Sequence, residues 1–323
     1  MILTVTLNAA LDVTCRVPRL QPHTSHRVSE VAQVAGGKGV NVASVLAQRG
    51  VPVLATGLLG GVTGELVRAD LDARHIGHQF SACAGESRRA VTVVSEADGD
   101  ATVFNEPGPV VQPGEWSAFL AHLTGLVEGL SARVVVASGS LPPGLPDDAY
   151  AEVVRAARGG GALSIVDTSG DALIAALAAG PDLVKPNRDE LREVTGEHDL
   201  VAGARALLAR GARAVVVSAG ADGLVAVGRS GGVLRAALGT PLAGNPTGAG
   251  DAAVAALAAG LARGAATPDT LADAVAWSAA AVLHPLAGQV RRGDIDRLRP
   301  LVRVEQETAT APDEEDDRAD PAR

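Results

Sequence analysis

Cysteine is nearly absent: Cys15 and Cys83 are the only two in 323 residues. Two are too few for a disulfide framework and these are wrongly spaced for zinc. No apolar run reaches the roughly 20 residues that cross a bilayer, so no membrane partner is expected. The opening MILTVTLNAALD lacks the charged front of a signal peptide, and the cytoplasm is the expected address. Positive charge is in deficit, with a net charge of −9, although residues 311–323 (APDEEDDRADPAR) carry six acids against two arginines. The mildly acidic remainder excludes nucleic acid as the main partner. Lysine is scarcer than arginine by far: of 28 basic residues only Lys38 and Lys185 are lysines. Lysine is a compact point charge suited to phosphate, so both positions are candidates for anion contact.

What is present is a globular balance, 47% hydrophobic and 20% charged, in a chain long enough for a large core. Short β-branched runs lie at 2–7, 51–57, 132–139, 162–167, 182–187 and 212–220, with helical stretches such as 39–49, 147–158, 170–179 and 200–210 among them. This alternation predicts an α/β fold with a parallel sheet covered on both faces. Residues 12–34 and 88–106 break the pattern and read as alternating strands, the second pair turning near Asp98-Gly99. They are expected to meet as one small sheet, a lid over the carboxyl ends of the main strands. After residue 248 the chain reads as almost wholly helical. A folded unit over 1–305 and an acidic, disordered tail over 306–323 are expected, because the tail has no apolar side chain larger than Ala or Pro.

Ligands of parallel α/β sheets bind beyond the carboxyl ends of the strands. Those ends give Asn8 and Asp12, Ser138-Gly139-Ser140, Lys185-Pro186-Asn187 with Glu190 behind, and Ser218-Gly220. AGGKGVNVA (35–43) opens a helix and brings Gly37, Lys38 and Asn41 together, while GNPTGAGDAAVAALAAGLARG (244–264) opens an Ala-rich helix on Gly248, Gly250 and Asp251. A helix start offers free N–H groups and a positive dipole end to an anion, and glycine lets the anion touch the backbone. Singly, each residue has a plainer reading. Asp251 and Asn187 read as helix caps, Glu190 as a capping-box acid, Arg88 and Arg89 as surface charge, and His284 as structural. The glycine-rich loop lacks the Walker A spacing, and no G-x-G-x-x-G opens the first strand–helix turn, so a dinucleotide enzyme is not indicated.

Taken together, NPTGAGD, AGGKGVNVASVLAQRG, TLNAALD, SGSLPPG, VKPNRDEL and VVSAGADG occur in the order found in the ribokinase-like (phosphofructokinase B) carbohydrate kinases, which the chain resembles over about residues 1–300. The SRRAV strand and the continuation VNVA make it most similar to the branch acting on sugar phosphates. The resemblance implies a ribokinase-like three-layer α/β/α fold with a mostly parallel central sheet and a small β-sheet lid. It implies phosphoryl transfer from Mg²⁺-ATP to a ketohexose phosphate, with fructose 1-phosphate expected first and tagatose 6-phosphate or fructose 6-phosphate as alternatives.

The same resemblance implies residue roles. Asp251 is the general base, and the backbone of Gly248, Ala249 and Gly250 is the anion hole. Asp12, Gly37 and Asn41 hold sugar hydroxyls. Lys38 and Arg88, helped by Ser138, hold the substrate's phosphate, and Arg27 reaches the phosphate site of a neighbouring subunit. Lys185, Asn187, Ser218, Gly220 and Gly223 contact ATP, while Asn187 and Glu190 position Mg²⁺ through water. With aromatics at 2%, the adenine pocket is expected to be mainly aliphatic. A helix N-terminus lowers a carboxylate's pKa, so Asp251 is expected to be readily ionised. Ala9 stands where relatives commonly carry proline, and His284 where several carry asparagine near the nucleotide. A non-catalytic sugar-phosphate sensor on the same fold would be marked by loss of the Asp251 or Gly250 equivalents, and both are present. Exposed lid edges predict a homodimer.

Overall fold

The computed structural model describes residues 1–265 and 267–307; the acidic stretch 311–323, expected to be disordered, lies outside the described residues. The chain opens with β1 (Ile2–Thr6), β2 (Ala10–Val17), β3 (Glu30–Gly36) and α1 (Lys38–Gln48). β4 (Val53–Leu59), α2 (Gly61–Ala73), β5 (His78–Ala82), β6 (Arg88–Ser95), β7 (Asp100–Asn105) and α3 (Pro113–Gly129) follow. Next come β8 (Val134–Ser138), α4 (Ala149–Gly159), β9 (Leu163–Asp167), α5 (Gly170–Leu177), β10 (Leu183–Val184), α6 (Arg188–Thr195) and α7 (Leu200–Ala209). β11 (Ala214–Ser218), β12 (Leu224–Gly228) and β13 (Val233–Leu238) lead to α8 (Ala249–Arg263), α9 (Thr267–Val282), α10 (Arg292–Leu298) and β14 (Val302–Glu307).

Ten strands form the central sheet in the order β14-β13-β12-β11-β10-β9-β8-β1-β4-β5. All pairs from β11 to β5 are parallel, and β12, β13 and β14 add antiparallel to the β11 edge. The predicted lid is present as a four-stranded sheet, β3-β2-β6-β7, in which the two sequence excursions meet through the parallel β2–β6 pair. Among the described residues, β14 is the one strand in the stretch after residue 248, which reads as almost wholly helical. It also carries the described chain to Glu307, two residues past the expected boundary. Its apolar signal is weak because Val302 and Val304 alternate with the exposed Arg303 and Glu305 at a sheet edge.

Period-2 alternation decides which helices cover which face. Leu3 and Val5 of β1, Val135 of β8 and Val166 of β9 pack into the cluster built with α3 to α7. Ile2, Val134, Val136, Ile165, Leu183 and Val216 pack into the opposite cluster, with α1, α8, α9 and α10. The result is three layers. Alanine suits α8 because it is the best helix former and its small side chain lets a helix lie close to both the sheet and α9. Residues 251–260 of α8 are all buried, and a Cβ on Gly260 would overlap the Thr270 side chain of α9. Among the described residues no helix is long and apolar enough to cross a membrane.

Candidate active site

The alternation that builds the core also builds the site. On the α1/α8 face the last positions of β1, β8 and β9 are Thr6, Ser138 and Asp167, in line with the apolar rows below them. Lys185 and Ser218 continue this polar ledge at the ends of β10 and β11. The amino end of α8 stands over it. Asp167 is 1% exposed and its Oδ1 lies 3.4 Å from Lys185 Nζ and 3.5 Å from Lys38 Nζ. Its Oδ2 is buried with no protein partner. Sequence reasoning missed Asp167, although the strand-end rule that selected Ser138 and Lys185 applies equally to the final residue of ALSIVD.

The start of α8 has the expected form. Gly248 adopts φ 83°, a left-handed turn that disfavours any side chain, and no side chain caps the helix. The Ala249 N–H donates to Pro246 O at 3.1 Å. Of the three N–H groups expected to form an anion hole, those of Gly248 and Gly250 have no protein acceptor among the described residues. Asp251 is 6% exposed and its Oδ2 accepts a hydrogen bond from Asn41 Nδ2 at 2.8 Å. Its pKa shifts in the direction opposite to that expected from the helix N-terminus, although a carboxyl at about 6 is still largely ionised at neutral pH. Burial and, second, the Asp167 carboxylate push the Asp251 carboxyl up to about 6, against the pull of Asn41, Lys38 and Lys185. The helix dipole does not win because desolvation and a like charge are the larger effects in a buried carboxylate.

Two cavities flank this point. One, of about 420 Å³, is lined by Asn187, Ser218, Gly220 and Gly223 and closed by Leu238, Pro241, Val275 and Val282, with no aromatic side chain. Gly250 and Ala249 form its inner end. Lys185, expected among its contacts, is 3% exposed and lies beneath Gly250, paired with Asp167 rather than facing the cavity. His284 is buried, with Nε2 3.8 Å from Asp294 Oδ2, and does not line it either.

The second cavity, of about 800 Å³, lies under the lid and is lined by Gly37, Lys38, Arg88, Ser140 and Glu190 among others. Arg88 donates to Asn8 O at 3.1 Å and to Asn105 Oδ1 at 3.4 Å. Strand alternation turns the neighbouring Arg89 away, where it pairs with Glu106 at 3.1 Å. Lys38 Nζ is also 3.6 Å from Glu190 Oε1. Burial would lower the Lys38 ammonium, but Asp167, Glu190 and Asp251 together hold it above its ordinary value. Asp12 lies over Gly36, where a Cβ would overlap its carboxylate, and burial raises it to about 6 against the opposing Arg88.

Three expected residues stand differently. Ser138 is fully buried and its hydroxyl has no partner; Gly139 and Ser140 line the cavity in its place. The Gly139 carbonyl accepts from Tyr150 Oη at 3.0 Å and from Thr168 Oγ1 at 2.9 Å, and Thr168 lines the same cavity. Asn41 donates its Nδ2 to Asp251 and lines neither cavity. Arg27 is exposed on the loop between β2 and β3, outside both cavities and without an ion-pair partner among the described residues.

Asn187 and Glu190 form the capping box that their spacing allows: each side chain accepts the other's backbone N–H at 2.8 Å. This box stands between the two cavities, Asn187 lining one and Glu190 the other. Among the described residues no group of three or more His, Cys, Asp or Glu could hold a metal ion directly. Mg²⁺ fits this donor set through water, since it keeps much of its hydration and Glu190 Oε1 is the one oxygen of the box not spent on the cap.

Asp167 offers a clean test of the ledge. Asp167→Asn leaves Lys185 buried without its carboxylate and is expected to cost about 3 kcal/mol, the scale of breaking a buried pair, in urea unfolding. The same substitution removes the like charge that helps raise Asp251, so the acid limb of activity should move to lower pH. An unchanged stability and an unmoved limb would contradict the pairing.

The sequence profile of the pfkB family carbohydrate kinases matches residues 3–291. A 1-phosphofructokinase of Xanthomonas campestris is 42% identical over 274 residues, covering 80% of this chain and 83% of its own. A tagatose-6-phosphate kinase of Staphylococcus epidermidis is 32% identical over 312 residues, covering 94% and 99%. Among solved structures, phosphofructokinase-2 from Escherichia coli in complex with fructose-6-phosphate superposes with a TM-score of 0.83 at 30% identity, over 93% of this chain and 98% of that one. With the glycine-led α8, the lid and the two flanking cavities in place, this chain belongs to the pfkB family of carbohydrate kinases.

Proposed function

We propose that the protein is a Mg²⁺-ATP-dependent 1-phosphofructokinase, converting fructose 1-phosphate and ATP to fructose 1,6-bisphosphate and ADP. The observation that carries this reading is a buried carboxylate, Asp251, beside Gly250 of an aliphatic cavity and within the field of Lys38, which with Arg88 lines the second cavity. ATP occupies the aliphatic cavity with its γ-phosphate at the α8 start. The sugar phosphate occupies the cavity under the lid, its phosphate held by Arg88 and Lys38, and its hydroxyls by Asp12 and Gly37. Asp251 takes the proton of the acceptor hydroxyl as that oxygen attacks the γ-phosphorus, and the free N–H groups of Gly248 and Gly250 receive the charge on the moving phosphoryl group. Asn41 orients the carboxylate for that transfer. Mg²⁺, held through water by Glu190 and by the phosphates themselves, would neutralise phosphate charge.

Tagatose 6-phosphate is the second candidate substrate, favoured by the longer alignment with the tagatose-6-phosphate kinase. A homodimer joined at the lid is supported by exposed apolar side chains on both edge strands, Val31 on β3 and Val103 and Phe104 on β7. Both cysteines are free, which suits a reducing compartment such as the cytoplasm.

A coupled ADP-release assay with fructose 1-phosphate, fructose 6-phosphate and tagatose 6-phosphate tests the name. A kcat/KM at least tenfold higher for fructose 1-phosphate, about 1.4 kcal/mol of transition-state discrimination, is expected. Preference for a 6-phosphate would keep the chemistry and change the substrate.

A further inference from the structure

The side chain of Gln48, the last residue of α1, is bonded at both ends to a segment 240 residues away. Its Nε2 donates to Gly288 O at 2.7 Å and its Oε1 accepts from Val290 N at 3.0 Å. Ser44 Oγ, one turn earlier, donates to the same Gly288 carbonyl at 2.6 Å. Ser44 in turn receives Gln48 Nε2 at 2.9 Å and the Arg74 guanidinium. Residues 41, 44 and 48 fall at i, i+3 and i+7, so they share one face of the helix. That face therefore presents Asn41 at one end and a clamp on backbone atoms at the other.

The clamped loop, between α9 and α10, backs the reacting centre. A Cβ on Gly248 would stand 2.9 Å from Ala287 Cα and 3.1 Å from Gly288 N, so the loop lies directly against the turn that starts α8. A Cβ on Gly288 would stand 3.0 Å from Asn41 Oδ1 and 3.2 Å from Asn41 Cα. The far end of the loop is tied to the same region, since Asn245 Nδ2 donates to Pro285 O at 2.9 Å. One short segment thus touches the anion-hole turn and the partner of Asp251, and Gln48 supplies two of the bonds that fix it.

We infer that Gln48 is a positioning residue for phosphoryl transfer: by clamping residues 288 and 290 it holds the loop against the Gly248 turn and Asn41, and so fixes the Asn41–Asp251 pair. The inference rests on the kinase reading given above. Gln48 itself touches neither substrate. Gln48 is exposed as a residue, but its amide spends both its donor and its acceptor on one backbone segment, and an apolar side chain in its place can supply neither bond.

The test is Gln48→Met, which keeps length and volume and removes both bonds. Measured with Mg²⁺-ATP and each of the three ketohexose phosphates, kcat is expected to fall roughly ten- to a hundredfold, the scale of misplacement at a distance. KM for ATP and for the sugar phosphate should stay within about twofold, since neither cavity loses a contact. The acid limb of kcat should also move to higher pH, because Asn41 no longer holds the carboxylate as firmly. Should Gln48→Met not fold, Gln48→Glu carries the test: it keeps an acceptor for Val290 N–H and loses the donor to Gly288. A folded variant with wild-type kcat and an unmoved limb, differing only in melting temperature, would make Gln48 a structural clasp and overturn the inference. Wild-type protein that releases no ADP on any of the sugar phosphates would instead remove the kinase reading, and the inference with it.

Discussion

Asp251→Asn is expected to lower kcat by ~10²–10⁴, the range attributed to a general base, while ATP binding measured by calorimetry stays nearly intact. Asparagine keeps the shape of the side chain and can still pair with Asn41 after an amide reorientation. It cannot take a proton. The aliphatic cavity proposed for ATP is lined by other residues, so it loses nothing in the substitution. The pH profile of the unmodified enzyme carries the same information. The base must be ionised, and burial together with Asp167 raises Asp251 to about 6. Asp12 is raised to the same region by burial, so the acid limb of kcat/KM reports both carboxylates. Activity should be full well above pH 6 and lost as pH falls through that value. A limb near the ordinary carboxylate range would contradict the burial of Asp251, and near-normal turnover in Asp251→Asn would remove it from the mechanism.

Arg88→Ala is expected to lower kcat/KM for the sugar phosphate by about a hundredfold, close to 3 kcal/mol for a lost charge-assisted contact to phosphate. KM for ATP should stay within about twofold. Arg88 lines only the cavity under the lid, where Asn8 O and Asn105 Oδ1 fix the guanidinium. The substitution leaves Lys38 in place, so binding is weakened rather than abolished. An equal effect on both substrates would place the lid wrongly.

Much of this site is legible in the sequence because strand ends and helix starts carry local signatures. Six of the seven parallel strands, the two lid excursions and the glycine-led α8 are visible as patterns of period 2, as turns or as caps, while β5 is not. The plainer readings of Asn187 and Glu190 as a capping box also hold in the structure, since a cap is a contact within four residues. What escapes is decided across the fold. The Asp251 pKa depends on Asp167, 84 residues away in the chain, and on burial that no local pattern displays. The pairing of Asn41 with Asp251 spans 210 residues. Ser138 and Ser140 look equivalent in SGSLPPG, yet Ser138 ends inside the sheet and Ser140 faces the cavity. Lys185 carries the residue type that suits a phosphate, but β10 places it beneath Gly250, on Asp167. The edge strand β14 is short and half polar, and only its pairing with β13 identifies it.

The most direct test of the account is the ratio of kcat/KM for fructose 1-phosphate to that for free fructose, measured in the wild type and in Arg88→Ala. If the cationic cavity under the lid reads the substrate's own phosphate, the wild type should strongly prefer the phosphorylated sugar and Arg88→Ala should lose about two orders of magnitude of that preference. Activity on free fructose should hardly change. A ratio that is unaltered by the substitution, or a wild type that prefers free fructose, would contradict it.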